Sequence, residues 1–214
     1  MSTVNKIYFV SSFIISAIFC FAKVPLGFSV LGNEPHPLCG EISMPADWTD
    51  LTELENWTFT PDTAAKNKGY IVFSRHYMTE TTPNSLPLEY EVGKELKAFA
   101  SLGEYEPMTF LIRTLQPLQN FQVKVSDLIN ADGDKLDQNK LDLRFALALP
   151  FKSAAHNTGY TNRHEILVSE IPKSLATEQT YLFWLTVYVP IDCKEGIYKG
   201  KVSITTKDST EELP

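Results

Sequence analysis

Two pairs of carboxylates are spaced closely enough to share proton-transfer work, Glu104 with Glu106 and Asp192 with Glu195. General acid–base chemistry needs an acid and a base facing one reacting bond. Glu104 and Glu106 on one strand would share a face, because side chains alternate with a period of two. Acids at strand ends and turns are ordinarily solvated, and neither pair reads as catalytic. Asn130-Ala131-Asp132-Gly133-Asp134 looks like part of a calcium loop. With Gly133 at the sixth position such a loop needs an acid at 128 and a glutamate at 139. Those positions hold Leu128 and Asn139, so the stretch reads as a turn. The histidines, His36, His76, His156 and His164, are not at metal-ligand spacing from one another. Neither a Gly-x-Ser-x-Gly elbow nor a glycine-rich phosphate loop occurs. The expectation is a chain without catalytic residues, metal or cofactor of its own.

The elements around these residues begin with a targeting segment. Lys6 precedes an apolar run over residues 7–22, and Cys20-Phe21-Ala22 has small side chains where a signal peptidase cuts. The run is shorter than the roughly 20 residues that span a bilayer. Residues 1–22 are therefore expected to be a cleaved signal peptide, and the chain to be exported to a periplasmic, cell-surface or extracellular place. Contact with a membrane is expected only if the signal stays uncleaved. Cys39 and Cys193 would survive processing, either as a disulfide or as two thiols. The formal net charge is −7 with no basic stripe, which excludes nucleic acid as a partner on electrostatic grounds.

Residues 23–65 carry prolines at 25, 35, 37, 45 and 61 and read as an irregular lead-in. Trp48, Trp57 and Phe59 fall within it as anchors, and Asn56-Trp57-Thr58 is a glycosylation sequon. From Gly69 onward strand signals recur: β-branched and aromatic residues over 69–77, a period of two around 108–113, 121–126, 143–149 and 198–205, and an apolar run over 181–189. The run 181–189 is apolar on both faces, as a central strand between two layers should be. Helical periodicity is nearly absent, with at most a turn or two at 96–102 or 174–178. The pattern predicts an all-β fold, a two-layer antiparallel β-sandwich over residues 66–214. The chain stops just after a strand and an apparent turn, where a sandwich would normally have another strand next, so the sandwich is expected to be truncated there.

Three stretches, 69–87, 98–128 and 183–204, carry a family likeness. Gly103-Glu104-Tyr105-Glu106-Pro107 opens a strand, and Ser126-Asp127-Leu128 closes the next. Trp184 to Pro190 then leads to Gly196-Ile197-Tyr198-Lys199-Gly200. Together these resemble the N-terminal β-sandwich domain of glycoside hydrolase family 123 and related barrel proteins of bacteria. Cys193 departs from the small residue usual in that turn. The family's adjacent Asp-Glu pair lies in a barrel that this chain lacks, so no catalytic residue carries over. The resemblance implies a non-catalytic accessory domain that packs against and positions a C-terminal catalytic barrel of the same parent protein. That parent would be a glycoside hydrolase of N-acetyl-hexosaminidase type. The alternative is a stand-alone carbohydrate-binding module using Trp48, Trp57 or Tyr70, and an enzyme in its own right ranks last. The candidates for interdomain or glycan contact are Arg75, His76, Tyr77 and Trp57. Tyr105 and Trp184 are expected in the core or between the layers.

Overall fold

The computed structural model describes residues 47–52, 59–152, 158–207 and 209–213, and before them the backbone of four two-residue strands. Of those four, β1 (Leu26–Gly27) pairs with β4 (Glu41–Ile42), and β2 (Ser29–Val30) with β3 (Glu34–Pro35). The expected signal peptide, His36, Cys39, Trp57, the sequon and His156 lie outside the described residues.

The body of the domain is a six-stranded sheet ordered β5 (Thr49–Asp50), β13 (Gly159–Val168), β12 (Leu141–Lys152), β15 (Thr180–Tyr188), β7 (Tyr105–Thr114), β6 (Tyr70–Phe73). Every pairing in it is antiparallel except β5 with β13. A second layer holds a three-stranded sheet of β17 (Thr210–Leu213), β16 (Val202–Thr205) and β9 (Gln122–Val125). Two short pairs complete it, β8 (Leu118–Gln119) with β14 (Ser174–Leu175) and β10 (Leu128–Ile129) with β11 (Lys135–Leu136). The fold is the expected β-sandwich.

Alternation decides which side chains join the layers. On β15, Tyr181, Phe183 and Leu185 turn toward the second layer and are buried. Phe110 and Ile112 on β7, Phe145 and Leu147 on β12, and Tyr70 and Val72 on β6 share that inner face. Val123, Val202 and Ile204 meet them from the small sheet. Phe183 sits at the centre, stacked on Phe110 at 5.1 Å and packed against Phe145 and Phe121 at 5.6 and 5.7 Å. Such ring pairs contribute beyond their buried area.

The opposite face of the large sheet is covered over part of its extent. Phe73, Leu111, Ala146 and Leu182 form a second buried cluster there, with Val92 packed against it. The cover is the connection 74–104 between β6 and β7, whose residues Thr81, Ser85, Leu86 and Glu91 are buried. It is tied down by Thr180, whose amide donates to the Pro83 carbonyl at 2.9 Å and whose hydroxyl donates to the Ser85 carbonyl.

Four details depart from the sequence reading. The one α-helix among the described residues is α1 (Thr63–Lys68), and neither 96–102 nor 174–178 is helical. Capping at both ends defines it: the Ala65 amide donates to the Asp62 carboxylate at 2.7 Å, and Gly69 closes it in the left-handed region at φ 84°. β13 forms a ten-residue strand from a segment without clear alternation. Residues 198–201 lie outside the strand that begins at Val202. The tail, not assigned a strand from the sequence, forms β17, paired residue for residue with β16.

Candidate functional site

Arg75, His76 and Tyr77 follow directly on the edge strand β6. The three have different surroundings. The Arg75 guanidinium is buried, donating to both carboxylate oxygens of Glu91 at 2.8 and 2.9 Å and to the Leu86 carbonyl at 3.0 Å. Both side chains of the pair are below a tenth exposed. The Thr109 hydroxyl donates to the Arg75 carbonyl and pins the segment to β7. Arg75 therefore serves to hold this segment in place.

The neighbours of Arg75 stand on the open face. His76 is exposed and stacks on Tyr77 at 4.4 Å, and Tyr77 meets Trp184 edge-on at 5.8 Å. Trp184, Thr186 and Tyr188 occupy alternate positions of β15 and so share this face. Tyr105 pairs with Tyr188 across the ladder, and their rings stack at 4.5 Å. The Lys140 ammonium lies over the Tyr188 ring at 5.7 Å. On β12, paired with β15, Asp142 and Arg144 point the same way and form an exposed ion pair at 2.7 Å. Rings and charged groups thus share this face with Pro107, which pairs opposite Thr186, and the Tyr77 and Trp184 rings meet at 65°.

Tyr105 corrects the expectation that it belongs to the core: it is 68% exposed. Trp184 is half-buried. Tyr70, named as a ring for binding sugar, is fully buried under the second layer and cannot reach a ligand. Trp48 is half-buried, with the Lys152 ammonium 5.9 Å from its ring centre.

A different surface lies at the end of the sheet where β7 starts and β15 stops. The loops 99–104 and 189–198 are joined there, with the Gly103 amide donating to the Val189 carbonyl at 2.8 Å and the Val189 amide to the Glu104 carbonyl at 2.9 Å. They hold Phe99, Leu102, Ile191 and Ile197, all largely in solvent, with Ile191 and Ile197 at 77% and 78%. Singly exposed apolar residues are ordinary, but four on two linked loops are the kind of surface that a partner covers.

Of the carboxylate pairs, Glu104 immediately precedes β7 and Glu106 lies within it. Glu106 is held above the usual carboxylate range by partial burial and by the negative charge of Glu104, against a smaller opposing pull from His76. The Glu104 carboxylate accepts from the Ser101 amide at 3.3 Å. Asp192 and Glu195 are exposed in the 189–198 loop. The Asn130–Asp134 stretch is a turn: the Asn130 side-chain oxygen accepts from the amides of Asp132 and Asp134 at 3.1 and 2.7 Å, and Lys194 pairs with Asp134. Among the described residues no cluster of three or more His, Cys, Asp or Glu side chains could hold a metal. Cys193 carries a free thiol 3.6 Å from the Tyr198 hydroxyl, which hydrogen bonding to that sulfur pushes up to about 12. His164 is half-buried: its Nε2 donates to the Thr180 carbonyl at 3.1 Å, and its Nδ1 then accepts from the Thr81 hydroxyl at 3.0 Å.

Sequence comparison finds the glycoside hydrolase 123 N-terminal domain over residues 74–206. No curated protein matches the chain. A solved structure of a family 123 glycoside hydrolase from Clostridium perfringens, described for glycolipid glycan hydrolysis, is 16% identical with a TM-score of 0.49. The similarity covers 53% of this chain and 21% of that one, so this chain spans about a fifth of the length of that protein.

Proposed function

The chain belongs to the glycoside hydrolase 123 N-terminal domain family, and from that membership we propose that it is the non-catalytic accessory sandwich of an exported glycan-directed hydrolase. Its role is to pack against a catalytic barrel of the same parent protein and hold it in position. The observation that carries this reading is the match to a domain that is N-terminal by definition, over 74–206. The linked loops 99–104 and 189–198 fit the seat for that barrel. Phe99, Leu102, Ile191 and Ile197 offer aliphatic and aromatic surface of the sort buried at the centre of stable interfaces. Gly103 sits in the left-handed region at φ 84° and bends the chain so that Leu102 stands outward.

The first test is the coding sequence downstream of Pro214: an in-frame barrel supports the reading, and an immediate stop codon contradicts it. The second is made in the parent protein. Ile191→Asp with Ile197→Asp is expected to lower the melting temperature of the parent and its hydrolysis of an aryl N-acetyl-hexosaminide, while leaving the fold of residues 59–213 intact by circular dichroism. Unchanged parent stability and turnover would sink the assignment of these loops.

A further inference from the structure

We propose, on the reading that a catalytic barrel occupies the loops 99–104 and 189–198, that the side of the barrel facing them is basic: its lysines or arginines meet Glu104, Asp192, Glu195 and Asp132 around an apolar centre. The seat is wider than the two loops. The Ile129 amide donates to the Lys199 carbonyl at 2.8 Å, and the Lys199 amide to the Ile129 carbonyl at 3.0 Å. These bonds tie the hairpin of β10 and β11 to the end of the 189–198 loop. Ile129, 50% exposed, thereby adds to the apolar surface beside that loop. A Cβ on Gly196 would lie 3.3 Å from Asn130 Nδ2, so the turn after β10 abuts the loop as well.

The charges left over at this end are mostly of one sign. Asp192 and Glu195 are exposed in the second loop, and Asp132 is exposed in the turn after β10. Among the described residues none of the three forms an ion pair. Glu104 closes the first loop, and its carboxylate accepts only from the Ser101 amide. The nearby lysines are already engaged, Lys194 with Asp134 and Lys97 with Glu95 at 2.8 Å. Lys199 is left, within electrostatic reach of Glu95. The chain as a whole has the same sign, at −7.

These carboxylates choose what can sit there. Seating a surface over them strips away water, and a surface without cations leaves each of them desolvated and unpaired, which costs free energy. Cations placed opposite remove that cost, steer the approach and reject acidic surfaces. The apolar residues cannot make that choice, because hydrophobic contact is non-directional and accepts any apolar cover. The acids are spread around the centre and do not converge on one point. Among the described residues no cluster of three or more could hold a metal, so a polypeptide surface is the fitting source of positive charge.

Cys193 makes the seat measurable. Its thiol is free and half-buried, on the loop between Ile191 and Ile197. A barrel seated there shields it from iodoacetamide, and peptide mass spectrometry reads the rate of alkylation at that position. Protection is the rate in the present chain alone divided by the rate in the parent protein. Making each variant in both cancels the direct effect of a new charge on the thiol. The unaltered parent is expected to protect Cys193. Asp192→Lys/Glu195→Lys should lower that protection by about threefold or more at about 0.05 M sodium chloride, and by much less at about 1 M, where screening is strong. Asp192→Asn/Glu195→Gln should fall between. Both residues are exposed, so the altered chain alone should keep its melting temperature, which verifies the fold. Protection unchanged or raised by the lysine variant, or lowered equally at both salt concentrations, overturns the basic partner. If Ile191→Asp/Ile197→Asp still abolishes protection in that case, the seat itself stands. Absence of protection in the unaltered parent removes the seat, and the basic partner with it.

Discussion

Arg75 and Glu91 are the charged residues on which most rests. Removing one partner of a buried pair leaves the other charge without compensation, which typically costs 3–5 kcal/mol. Arg75→Met and Glu91→Gln are each expected to lose about that much in urea denaturation. The double change Arg75→Met/Glu91→Leu should lose less than either alone, because it leaves no orphaned charge. Full additivity of the two would show that they do not act as a pair. His164 gives a pH dependence. Burial pushes its imidazole down to about 4, outweighing the carbonyl bonds that favour the charged form. Unfolded, it titrates near 6.5. Between those values the unfolded chain takes up a proton that the folded chain refuses. Stability is therefore fully present above about pH 6.5 and falls as pH drops toward about 4. Comparing pH 7 with pH 4.5, the chain should lose about 2–3 kcal/mol more than His164→Gln loses. Equal losses would show that another group carries the slope.

The strands differ in how openly their sequences declare them. β7, β12 and β15 alternate strictly or run apolar throughout, and each is found within a few residues of its expected place. β13 has Asn162, Arg163, His164 and Glu165 in its middle, and it pairs with β12 along its length but with β5 only at Gly159 and Tyr160. A strand with one largely open edge and a bulge opposite Leu147 and Ala148 buries too little to show a period. α1 has no buried residue, so its two caps, not an apolar stripe, define it. Tyr105 shows the other limit. Alternation sorts side chains onto two faces, but which part of a face is covered depends on where the 74–104 connection lies, a non-local matter. Turn chemistry is more local. A Cβ on Gly200 would lie 2.4 Å from Leu128 Cδ2 and 2.8 Å from the Asp127 carbonyl oxygen, on the neighbouring chain segment. Gly200→Ala is therefore expected to cost about 1–3 kcal/mol by overpacking, read from the urea midpoint at constant slope. No measurable loss would mean that β10 moves freely away from the 199–201 turn.

The two layers are held together chiefly by rings at one place, and this makes the sandwich one cooperative unit. Phe183 on the central strand touches Phe110 and Phe145 within its own sheet and Phe121 at the start of the small sheet. Around that point Val202 and Ile204 complete the second layer, and Leu118 and Leu175 close one side. Among the described residues neither layer has another core to retain if this one opens, because the cluster on the outer face contains only four buried residues and depends on the same strands. Truncating a buried phenylalanine to alanine typically costs 3–5 kcal/mol in lost transfer energy and cavity. Whole domains are stable by only about 5–15 kcal/mol. Phe183→Ala should therefore remove a large share of the stability of the chain, while Phe99→Ala, whose side chain is 75% exposed, should change it by less than about 0.5 kcal/mol. Far-ultraviolet dichroism, reporting strands, and near-ultraviolet dichroism, reporting ring packing, should follow a single transition in the unaltered chain. In Phe183→Ala both should shift together to lower urea. If ring packing is lost well before the strands, the large sheet persists without the small one. The second layer would then be an independent unit and not half of a single core.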